Sequence, residues 1–357
     1  MTIHIFTGEG NYSKSFLDFF AANFDVSNTL VVFRSRAGNT YTYDAKLRGR
    51  IIYIENYKKF LLTLAKKLIS AEKIIMHYYP IGPSLFFWYP FSFLFSKTTW
   101  MMWGGDVYYF RDRKPGITSG IYEFIRRRTI RKFARIACFI KGDYEIIRQV
   151  YGGRAEYHYA CYPIPVDFGY LDGIIGSRKS ITQEKKGKTI LLGNSASPTN
   201  GHLEILEKLA PLADTDIRII CPVSYPPERE YVEMLETRGK QLFSDKFILL
   251  KNMLTPEEYG RLLEDVDVAF MNHRRQQGLG NVLSLLYLGK KVYLRKEVTS
   301  FSFFDSIGIK LFDITQTDFG NAEELFYFDK KTAEENYNII KKNFSTESYI
   351  SMWKDIV

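Results

Sequence analysis

The chain has 357 residues, of which 46% are hydrophobic and 25% are charged, and its formal net charge is +9. This length and balance are typical of a folded protein with two domains, each with its own core. Three widely separated cysteines without paired spacing argue against a disulfide scaffold or a zinc site and fit the cytosol.

Strands and helices alternate through the first half, which predicts a doubly wound α/β domain over residues 1–168. The chain starts directly with a strand pattern and lacks the charged and apolar regions of a signal peptide. The predicted strands are Thr2–Phe6, Thr29–Phe33, Ile51–Ile54, Lys73–His77, Thr99–Trp103 and Ile136–Ile140. The predicted helices are Ser13–Phe24, Tyr57–Ser70, Ser84–Phe95, Ile117–Ala134 and Tyr144–Tyr151.

Titratable side chains follow several of these strands. Asp106, in WGGDVYYF, stands at a strand's carboxyl end, where a carboxylate can accept an acceptor hydroxyl's proton or hold a sugar hydroxyl. A simple cap or turn residue is the alternative. His77 ends another strand. We expect it either to contact a nucleobase or sugar or to be a hydrogen-bonded structural residue. Glu9, in the loop TGEGNYS, is an alternative base that ranks after Asp106.

The stretch from Ile81 to Trp103 is aromatic and approaches the length of a membrane span, but prolines and polar residues interrupt it. We therefore expect no transmembrane helix there. The next predicted helix carries interleaved basic and apolar residues, a pattern that suits anionic lipid head groups. A merely solvated basic face is the alternative, and no nucleic-acid partner is expected because no such module is visible. The basic residues are Arg126, Arg127, Arg128, Arg131, Lys132 and Arg135, and the apolar ones are Ile121, Phe124, Ile125, Ile130 and Phe133.

The run from Pro163 to Lys188 contains prolines, glycines and polar residues and predicts a linker. The α/β pattern then repeats and predicts a second domain over 186–340, while the segment 345–357 is expected to pack back on the first domain. The predicted strands are Thr189–Leu192, Asp216–Cys221, Phe247–Leu250, Asp267–Asn272 and Val292–Leu294. The predicted helices are His202–Ala210, Arg229–Arg238, Pro256–Leu263 and one from Asn281 to Gly289.

Two loops of the second half offer neutral hydrogen-bonding groups. In GNSASPTN, Gly193 lets the chain turn close to a ligand, and the residues after it can hydrogen-bond a diphosphate. These residues include Asn194, Ser195, Ser197, Thr199 and Asn200. Tyr225 lies before two prolines and is placed to stack on a nucleobase or sugar. An ordinary capped loop and an exposed turn tyrosine are the alternatives.

The segment FMNHRRQQGLGNVLSLLYLGKKVYL carries the strongest functional signal. It predicts a strand, a glycine loop, a helix with Asn281 as its N-cap, and another strand. A helix N-terminus at the carboxyl end of a parallel strand can hold a diphosphate. Arg274 and Arg275 stand where guanidinium groups can bind the same charge. The pattern favours a nucleotide-sugar pocket over a nucleic-acid surface.

A metal is not expected at this pocket. Asp265 and Asp267 form the D-x-D pattern that many sugar-nucleotide enzymes use for a divalent cation, but they lie where a helix runs into a buried strand. We interpret them as structural. The charge of a leaving diphosphate is then met by arginines and by the helix N-terminus. We expect no cofactor.

Two Rossmann-like domains that face each other across a cleft describe the GT-B architecture of nucleotide-sugar glycosyltransferases. Periplasmic binding proteins and some epimerases share this pattern, so the pattern alone leaves them open. Five segments, in their order along the chain, resemble glycosyltransferase family 56, the TDP-N-acetylfucosamine:lipid II transferases. They are WGGDVYYF, ILLGNS, SYPP, LFS and RQQGLG.

The resemblance is strongest from Thr189 to Arg295. It implies a GT-B fold, a dTDP-sugar donor, a polyprenyl-diphosphate-linked saccharide as acceptor, and peripheral association with the cytoplasmic face of the bacterial inner membrane. Asp106 matches the family's pattern and is the candidate base, and His77 and Arg275 are the other expected catalytic residues. The resemblance assigns donor binding to Gly193, Asn194, Ser195, Asn200, Tyr225, Arg275, Gln276, Gln277 and Gly278. The loop and helix pattern adds Arg274, Gly280 and Asn281 to the donor site. A GT-B enzyme with a UDP- or GDP-sugar donor and a non-catalytic glycan-binding protein remain alternatives.

Overall fold

Two parallel sheets organise the chain, one in each of two compact units. The computed structural model describes residues 1–34, 41–54, 56, 59–60, 63–163, 168–178, 187–226 and 228–357. The first unit comprises Met1–Ile164 and Phe344–Val357, and the second comprises Pro165–Asn343. The α/β class with two Rossmann-like domains is confirmed.

The first sheet has seven strands in the order β3-β2-β1-β4-β5-β6-β7, and every neighbouring pair is parallel. Alternate β1 residues face opposite cores: Ile3 and Ile5 pack in one, and Phe6 packs in the other. In chain order the elements are β1 (Thr2–Phe6), α1 (Asn11–Asn23), β2 (Thr29–Phe33), β3 (Ile51–Tyr53), α2 (Ala65–Ser70), β4 (Lys73–His77), α3 (Ser84–Trp88), β5 (Thr98–Met101), α4 (Gly104–Val107), α5 (Tyr109–Asp112), α6 (Ile117–Thr129), β6 (Arg135–Cys138), α7 (Lys141–Tyr151) and β7 (Glu156–Tyr159).

The second sheet has six parallel strands in the order β10-β9-β8-β11-β12-β13. Its core is built from aliphatic residues of β8, β9 and the helices that cover them. In chain order the elements are α8 (Phe168–Arg178), β8 (Lys188–Leu192), α9 (His202–Leu209), β9 (Ile217–Pro222), α10 (Arg229–Phe243), β10 (Phe247–Leu250), α11 (Pro256–Asp265), β11 (Val268–Met271), α12 (Leu279–Tyr287), β12 (Lys291–Leu294), α13 (Thr299–Ser306), β13 (Phe312–Asp313), α14 (Ala322–Phe326) and α15 (Lys330–Asn343).

The last helix, α16 (Thr346–Lys354), packs against the first unit. Trp353 is fully buried there, with its ring centroid 4.4 Å from that of Phe16. Its indole Nε1 donates a hydrogen bond of 2.8 Å to the Cys161 carbonyl oxygen. The three cysteine thiols, Cys138, Cys161 and Cys221, are free and buried.

Two sequence predictions differ from the structure in the first unit. The predicted helix Ser84–Phe95 stops at Trp88 and is followed by a short 3₁₀ segment, Ser92–Lys97. Pro90 explains the break, because proline has no backbone N–H with which to continue the helical hydrogen bonds. The predicted helix Tyr57–Ser70 is described as helical over Ala65–Ser70, and part of its beginning lies outside the described residues.

The predicted linker contains a helix, α8, that contacts α11 and α12 and belongs to the second unit. Two glycines, Gly173 and Gly176, made this stretch look irregular in sequence. The structure shows open space beside both, so the helix tolerates them without needing them. Strand β7 was also not predicted, because its sequence EYHY lies at the sheet edge and is only partly buried.

Candidate active site

The second sheet brings two of the predicted loops together at one edge. Strands β8 and β11 are neighbours, and their chain connections leave in opposite directions across the sheet. Parallel α/β sheets bind ligands in the crevice at the carboxyl ends of such a strand pair. The loop after β8, residues 193–201, and the loop after β11, residues 272–278, both lie at this position.

Asn200 joins the two loops. Its Oδ1 accepts hydrogen bonds from the Asn194 backbone N–H and from the His273 Nε2, each at 3.1 Å. Its Nδ2 donates to Ser195 Oγ at 3.0 Å and to two backbone carbonyls of its own loop. Asn200 is fully buried, so its hydrogen bonds hold the loop in one geometry. They do not contribute directly to the binding of a ligand.

Two glycines allow close packing within and between these loops. Gly193 has φ +68°, and a Cβ there would overlap the His202 ring and lie 2.8 Å from Asn200 Oδ1. Gly278 has φ +63°, and a Cβ there would lie 2.9 Å from Asn194 and from His273 Cε1. Both positions require the left-handed backbone that glycine adopts at least cost.

Helix α12 begins three residues before the predicted start. Gly278 is its N-cap, so the prediction of Asn281 as N-cap was wrong, and Asn281 is the third residue of the helix. The left-handed backbone of Gly278 turns the chain into the helix earlier than an asparagine cap would. The first-turn N–H groups, from Leu279 through Gly280 to Asn281, have no partners within an α-helix. They form the positive end of the helix dipole.

Four side-chain atoms around these loops are buried without a hydrogen-bond partner in the described protein: the ring nitrogens His202 Nε2 and His273 Nδ1, and the amide atoms Asn194 Oδ1 and Gln277 Nε2. Asn194 is only 6% exposed, and its Nδ2 donates to the Tyr225 hydroxyl at 3.3 Å. Gln277 Oε1 accepts from Thr199 Oγ1 at 2.6 Å. A buried polar atom without a partner is costly, so the two amide atoms mark a place that a bound polar ligand or water satisfies.

Tyr225 follows β9, the strand beside β8, and its ring is partly exposed beside the Asn194 amide. Its backbone carbonyl accepts a hydrogen bond of 2.6 Å from the Ala196 N–H. The tyrosine is therefore held by contacts at both its backbone and its hydroxyl, with a ring face left accessible.

The two arginines of the loop after β11 have different surroundings. Arg274 is 65% exposed, and its Nη2 lies 3.9 Å from Glu204 Oε2. Its backbone N–H donates to the Thr199 carbonyl at 3.0 Å, which ties the loop after β11 to the loop after β8. Arg275 is half-buried, and its Nη1 donates to the Gln276 carbonyl at 3.2 Å. Of the two arginines, Arg275 is therefore the one whose guanidinium group lies within the loop.

Sequence reasoning missed a set of buried polar residues beneath the loops. Arg295 donates two hydrogen bonds to the Glu204 carboxylate, at 2.6 and 2.7 Å, and one to Asn272 Oδ1 at 2.7 Å. His273 and His202 are fully buried, and burial lowers the pKa of each to about 3. Both rings are therefore neutral at physiological pH. These partners lie up to 91 residues apart, so spacing along the sequence does not reveal them.

In the first unit, Asp106 has no exposed surface. Its Oδ2 accepts hydrogen bonds from the Tyr79 N–H and the Trp100 Nε1, both at 2.7 Å, and its Oδ1 accepts from the Trp103 N–H at 2.8 Å. Burial raises the pKa of Asp106 to about 7, although the hydrogen bonds from these donors act to lower it. The carboxylate holds the loops after β4 and β5 together. Its predicted role as base stays a prediction, and this geometry favours a positioning role.

His77 is also interior. Its ring stacks on Phe6 with centroids 3.9 Å apart, Nε2 lies 2.9 Å from His4 Nδ1, and Nδ1 contacts the Tyr162 hydroxyl. Burial lowers the pKa of His77 well below its usual value. Its catalytic assignment remains a prediction, and these contacts describe the structural alternative that the sequence left open.

Glu9 has a different environment at the carboxyl end of β1. It is half-buried, and its Oε1 accepts hydrogen bonds from the hydroxyls of Tyr53 at 2.6 Å and Tyr43 at 2.9 Å. Three residues further along, Tyr12 is 41% exposed, with its ring edge-on to Trp103 at 5.4 Å. A carboxylate and an accessible aromatic pair therefore flank the same loop.

The basic helix α6 has two faces, and this corrects part of the predicted lipid patch. Arg126 is fully buried and donates to the carbonyls of Pro80 and Asp106, so it is not available to a lipid head group. Of the interleaved apolar residues, Ile125, Ile130 and Phe133 are buried. The accessible apolar surface, called here the α3–α6 surface, consists of Phe86, Tyr89, Phe93, Ile117, Ile121 and Phe124.

Exposed basic side chains lie on or next to α6, the helix that carries part of the α3–α6 surface. Arg128 lies over the Phe124 ring, with its Cζ 4.9 Å from the centroid, and Lys114, Arg131 and Lys132 are exposed on the same helix or next to it. The rings of Phe86 and Tyr122 pack edge-on at 5.7 Å and join α3 to α6. None of the described helices is both long and apolar enough to cross a bilayer.

The D-x-D residues make structural contacts. Asp267 Oδ2 accepts a hydrogen bond from the Thr189 N–H at 2.7 Å, and Asp265 pairs with Arg218. Within the described parts of the chain, no group of three or more His, Cys, Asp or Glu side chains is arranged to hold a metal ion.

The family model described as 4-alpha-L-fucosyltransferase glycosyl transferase group 56 matches residues 93–312, more than half of the chain. The protein is a glycosyltransferase and belongs to this family, as its sequence motifs indicated.

Solved structures with the same fold cover almost the whole chain. WaaG, a glycosyltransferase involved in lipopolysaccharide biosynthesis, aligns over 100% of this chain and 98% of its own, with TM-score 0.65 and 8% identity. Anabaena HepE in complex with UDP-glucose aligns over 99% of both chains, with TM-score 0.65 and 12% identity. Sucrose-phosphate synthase from Thermosynechococcus elongatus aligns over 99% and 97%, with TM-score 0.67 and 10% identity. These likenesses show the GT-B fold.

Proposed function

We propose that this glycosyltransferase transfers a deoxyamino sugar of the 4-acetamido-4,6-dideoxygalactose type from a dTDP-sugar to a polyprenyl-diphosphate-linked saccharide. The reaction would take place at the cytoplasmic face of the bacterial inner membrane, in surface polysaccharide synthesis. Membership of a family described by 4-alpha-L-fucosyl transfer supports a 6-deoxy sugar. The similarity in fold to HepE, which binds UDP-glucose, supports a pyrimidine nucleoside diphosphate as carrier.

The observation that carries the donor site is the pair of buried, unpartnered atoms Asn194 Oδ1 and Gln277 Nε2 beside the start of α12. One is an acceptor and the other a donor, and neutral amides of this kind recognise hydroxyl, acetamido or base groups. The adjacent helix start and Arg275 suit the diphosphate, and Tyr225 suits the nucleobase or sugar ring. Ser195, Gln276, Gly280 and Asn281 complete this proposed donor pocket.

The departing diphosphate carries the charge that develops in the reaction. Arg275 and the first-turn amides of α12 would stabilise this charge without a metal or a cofactor. Arg274, which is mostly exposed, is proposed to contribute a longer-range attraction and to secure the loop through its backbone. In the first unit, Asp106 and His77 are proposed to position the loops after β4 and β5.

The α3–α6 surface is proposed as the peripheral membrane contact through which the enzyme reaches a lipid-linked acceptor. Accessible aromatic and aliphatic side chains beside exposed lysines and arginines are typical of helices that lie in the interface of anionic membranes. We expect no nucleic-acid partner for this surface.

A binding and turnover comparison tests the donor site. Arg275→Ala should weaken dTDP binding about tenfold or more and lower turnover, because a hydrogen bond to a charged group contributes about 1.5–3 kcal/mol. Titration calorimetry with dTDP, UDP and GDP, followed by mass spectrometry of the products, measures both effects. Arg229→Ala is the matched control, since Arg229 is 91% exposed on α10.

Three results would contradict parts of the proposal. Unchanged dTDP affinity in Arg275→Ala would remove the diphosphate assignment. A wild-type preference for UDP or GDP would replace the donor. Binding of a nucleotide without transfer to any lipid-linked saccharide would remove the acceptor assignment.

A further inference from the structure

The first sheet reverses its connections at β1 and β4, as the second sheet does at β8 and β11. The loop after β1, residues 7–10, therefore lies at the position where a parallel α/β sheet binds its ligand. This loop carries Glu9 between two glycines. The position of this loop follows from the strand order of the first sheet alone. It does not depend on the assignment of the donor site in the other unit.

Among the described residues at this edge of the first sheet, the carboxylates differ sharply in access. Asp106 and Asp143 are buried. Asp143 Oδ1 accepts a hydrogen bond from the Tyr108 hydroxyl at 2.7 Å, and Asp106 is enclosed by three N–H donors. Glu9 is only half-buried. A general base must come within hydrogen-bond reach of a substrate hydroxyl, and Glu9 meets that condition better than the two aspartates.

Two phenols fix the orientation of Glu9. The hydroxyls of Tyr43 and Tyr53 both donate to Oε1. Burial and the hydrogen bond to Glu9 raise the pKa of Tyr43, so this phenol keeps its proton and remains a donor. The carboxylate is thereby held in one rotamer, which is what a base needs to meet a hydroxyl in a fixed geometry.

An aromatic platform lies beside the same loop. Tyr12 is the second residue of α1, its ring is partly exposed, and it packs edge-on against Trp103. The Trp103 ring in turn packs against Tyr162 at 5.0 Å. Accessible aromatic rings pair an apolar face with a polar edge, and this suits the apolar face of a pyranose ring.

We propose that Glu9 is the catalytic base of the transfer and that Tyr12 and Trp103 bind the acceptor saccharide; this proposal rests on the proposed function. The Glu9 carboxylate accepts the proton of an acceptor hydroxyl as that oxygen forms a bond to the anomeric carbon of the donor sugar. The bond from the anomeric carbon to the diphosphate oxygen breaks, and its electron pair leaves on the diphosphate. A single displacement of this kind inverts the anomeric configuration.

Glu9→Gln tests the assignment. Glutamine keeps the shape and an oxygen that accepts from both tyrosines but takes no proton. We expect kcat to fall at least a hundredfold, because general base catalysis contributes about 10²–10⁴-fold. Nucleotide affinity and the thermal midpoint should stay at wild-type values, and the acidic limb of the pH–rate profile should disappear. Glu72→Gln is the matched control, since Glu72 is an exposed glutamate of the same unit.

The donor for this test is whichever of the dTDP-, UDP- and GDP-sugars gives turnover with the wild type, with anomeric configuration read by NMR. A Glu9→Gln enzyme within twofold of wild-type kcat, or a product of retained configuration, would overturn the base while leaving the proposed function intact. Loss of nucleotide affinity in the variant would also overturn it, since Glu9 would then serve donor binding. Absence of turnover with all three donors would overturn both proposals.

Discussion

Several fully buried polar side chains determine the local geometry of both units. Asn200 makes five hydrogen bonds across two loops, and Arg126 donates to the backbone carbonyls of Pro80 and Asp106. Each is buried with its partners, so removal of one side chain leaves the other groups unsatisfied in the interior. Such residues affect the candidate site without touching a ligand.

At the residue scale, Gly278 offers a sharp test of loop geometry. Gly278→Ala should abolish nucleotide binding and lower the thermal midpoint by several degrees, because φ +63° strains alanine and its Cβ meets Asn194 and His273 at 2.9 Å. Differential scanning fluorimetry and dTDP titration measure the two effects. Gly173→Ala in α8 is the control, since open space surrounds that glycine. Equal behaviour of the two variants would contradict the close approach.

The residue types of the donor pocket were visible in the sequence, whereas the buried partners were not. Glycines and asparagines after a predicted strand indicated Gly193, Asn200 and Gly278, because turns and caps follow from local chemistry. His202 and His273 gave no such signal. Their roles depend on packing between segments about seventy residues apart, as in the contact between His273 and Asn200.

At the element scale, short buried strands were predicted well and mixed segments poorly. β1, β2, β4 and β10 have the predicted bounds, because a continuous apolar run in a parallel sheet has few alternatives. The predicted helix Ser84–Phe95 was too long, because Pro90 interrupts it and because its aromatic residues occur in helices, strands and surfaces alike. In α6 the periodicity placed the helix, but only packing decides that Arg126 is interior and Arg128 is exposed.

The α3–α6 surface leads to a test of membrane binding. The double variant Ile117→Ser, Phe124→Ser should reduce the fraction bound to phosphatidylglycerol vesicles about tenfold or more, since burying one large apolar side chain contributes about 1.5–3 kcal/mol. Vesicle sedimentation at low and high salt measures this. Met234→Ser with Met253→Ser is the control, because both methionines are exposed on the second unit. Equal losses in the two double variants would contradict a specific membrane surface.

At the scale of the whole molecule, the two units repeat one topological plan. Each sheet is parallel throughout, and each reverses its connections at the strand pair that carries the candidate residues. This plan follows from the alternating pattern of the sequence, which is why the fold class was predictable. The bounds of the units were harder, because α8 has a composition typical of a linker.

Buried neutral histidines lie in both units and predict acid sensitivity. Burial lowers the pKa of His4, His202 and His273 to about 3, far below the value near 6.5 of an unfolded chain. Their contribution to stability is full above pH 6.5 and is lost progressively as the pH falls towards 3. Burial also lowers the pKa of His77 well below its usual value, so four histidines act in this direction. Asp106, with its raised pKa, acts in the opposite direction between about pH 4 and 7, but it is one group against four.

We therefore expect the free energy of unfolding to fall between pH 7 and pH 5, by up to about 4 kcal/mol per pH unit at the steepest point. Urea denaturation at several pH values measures the slope. His202→Asn keeps a polar group beside Tyr231 and should flatten the dependence by roughly one proton's contribution. A stability that stays level or rises as the pH falls would contradict the assignment of these rings as neutral.

Because the three thiols are buried, their reaction with a thiol reagent reports local unfolding of the protein. Cys138 and Cys161 lie in the first unit and Cys221 in the second, and burial raises the pKa of all three. A maleimide or disulfide reagent reacts with the thiolate, so the native chain resists modification at every cysteine. Mass-resolved labelling over time would therefore give separate opening rates for the two halves, without an introduced probe.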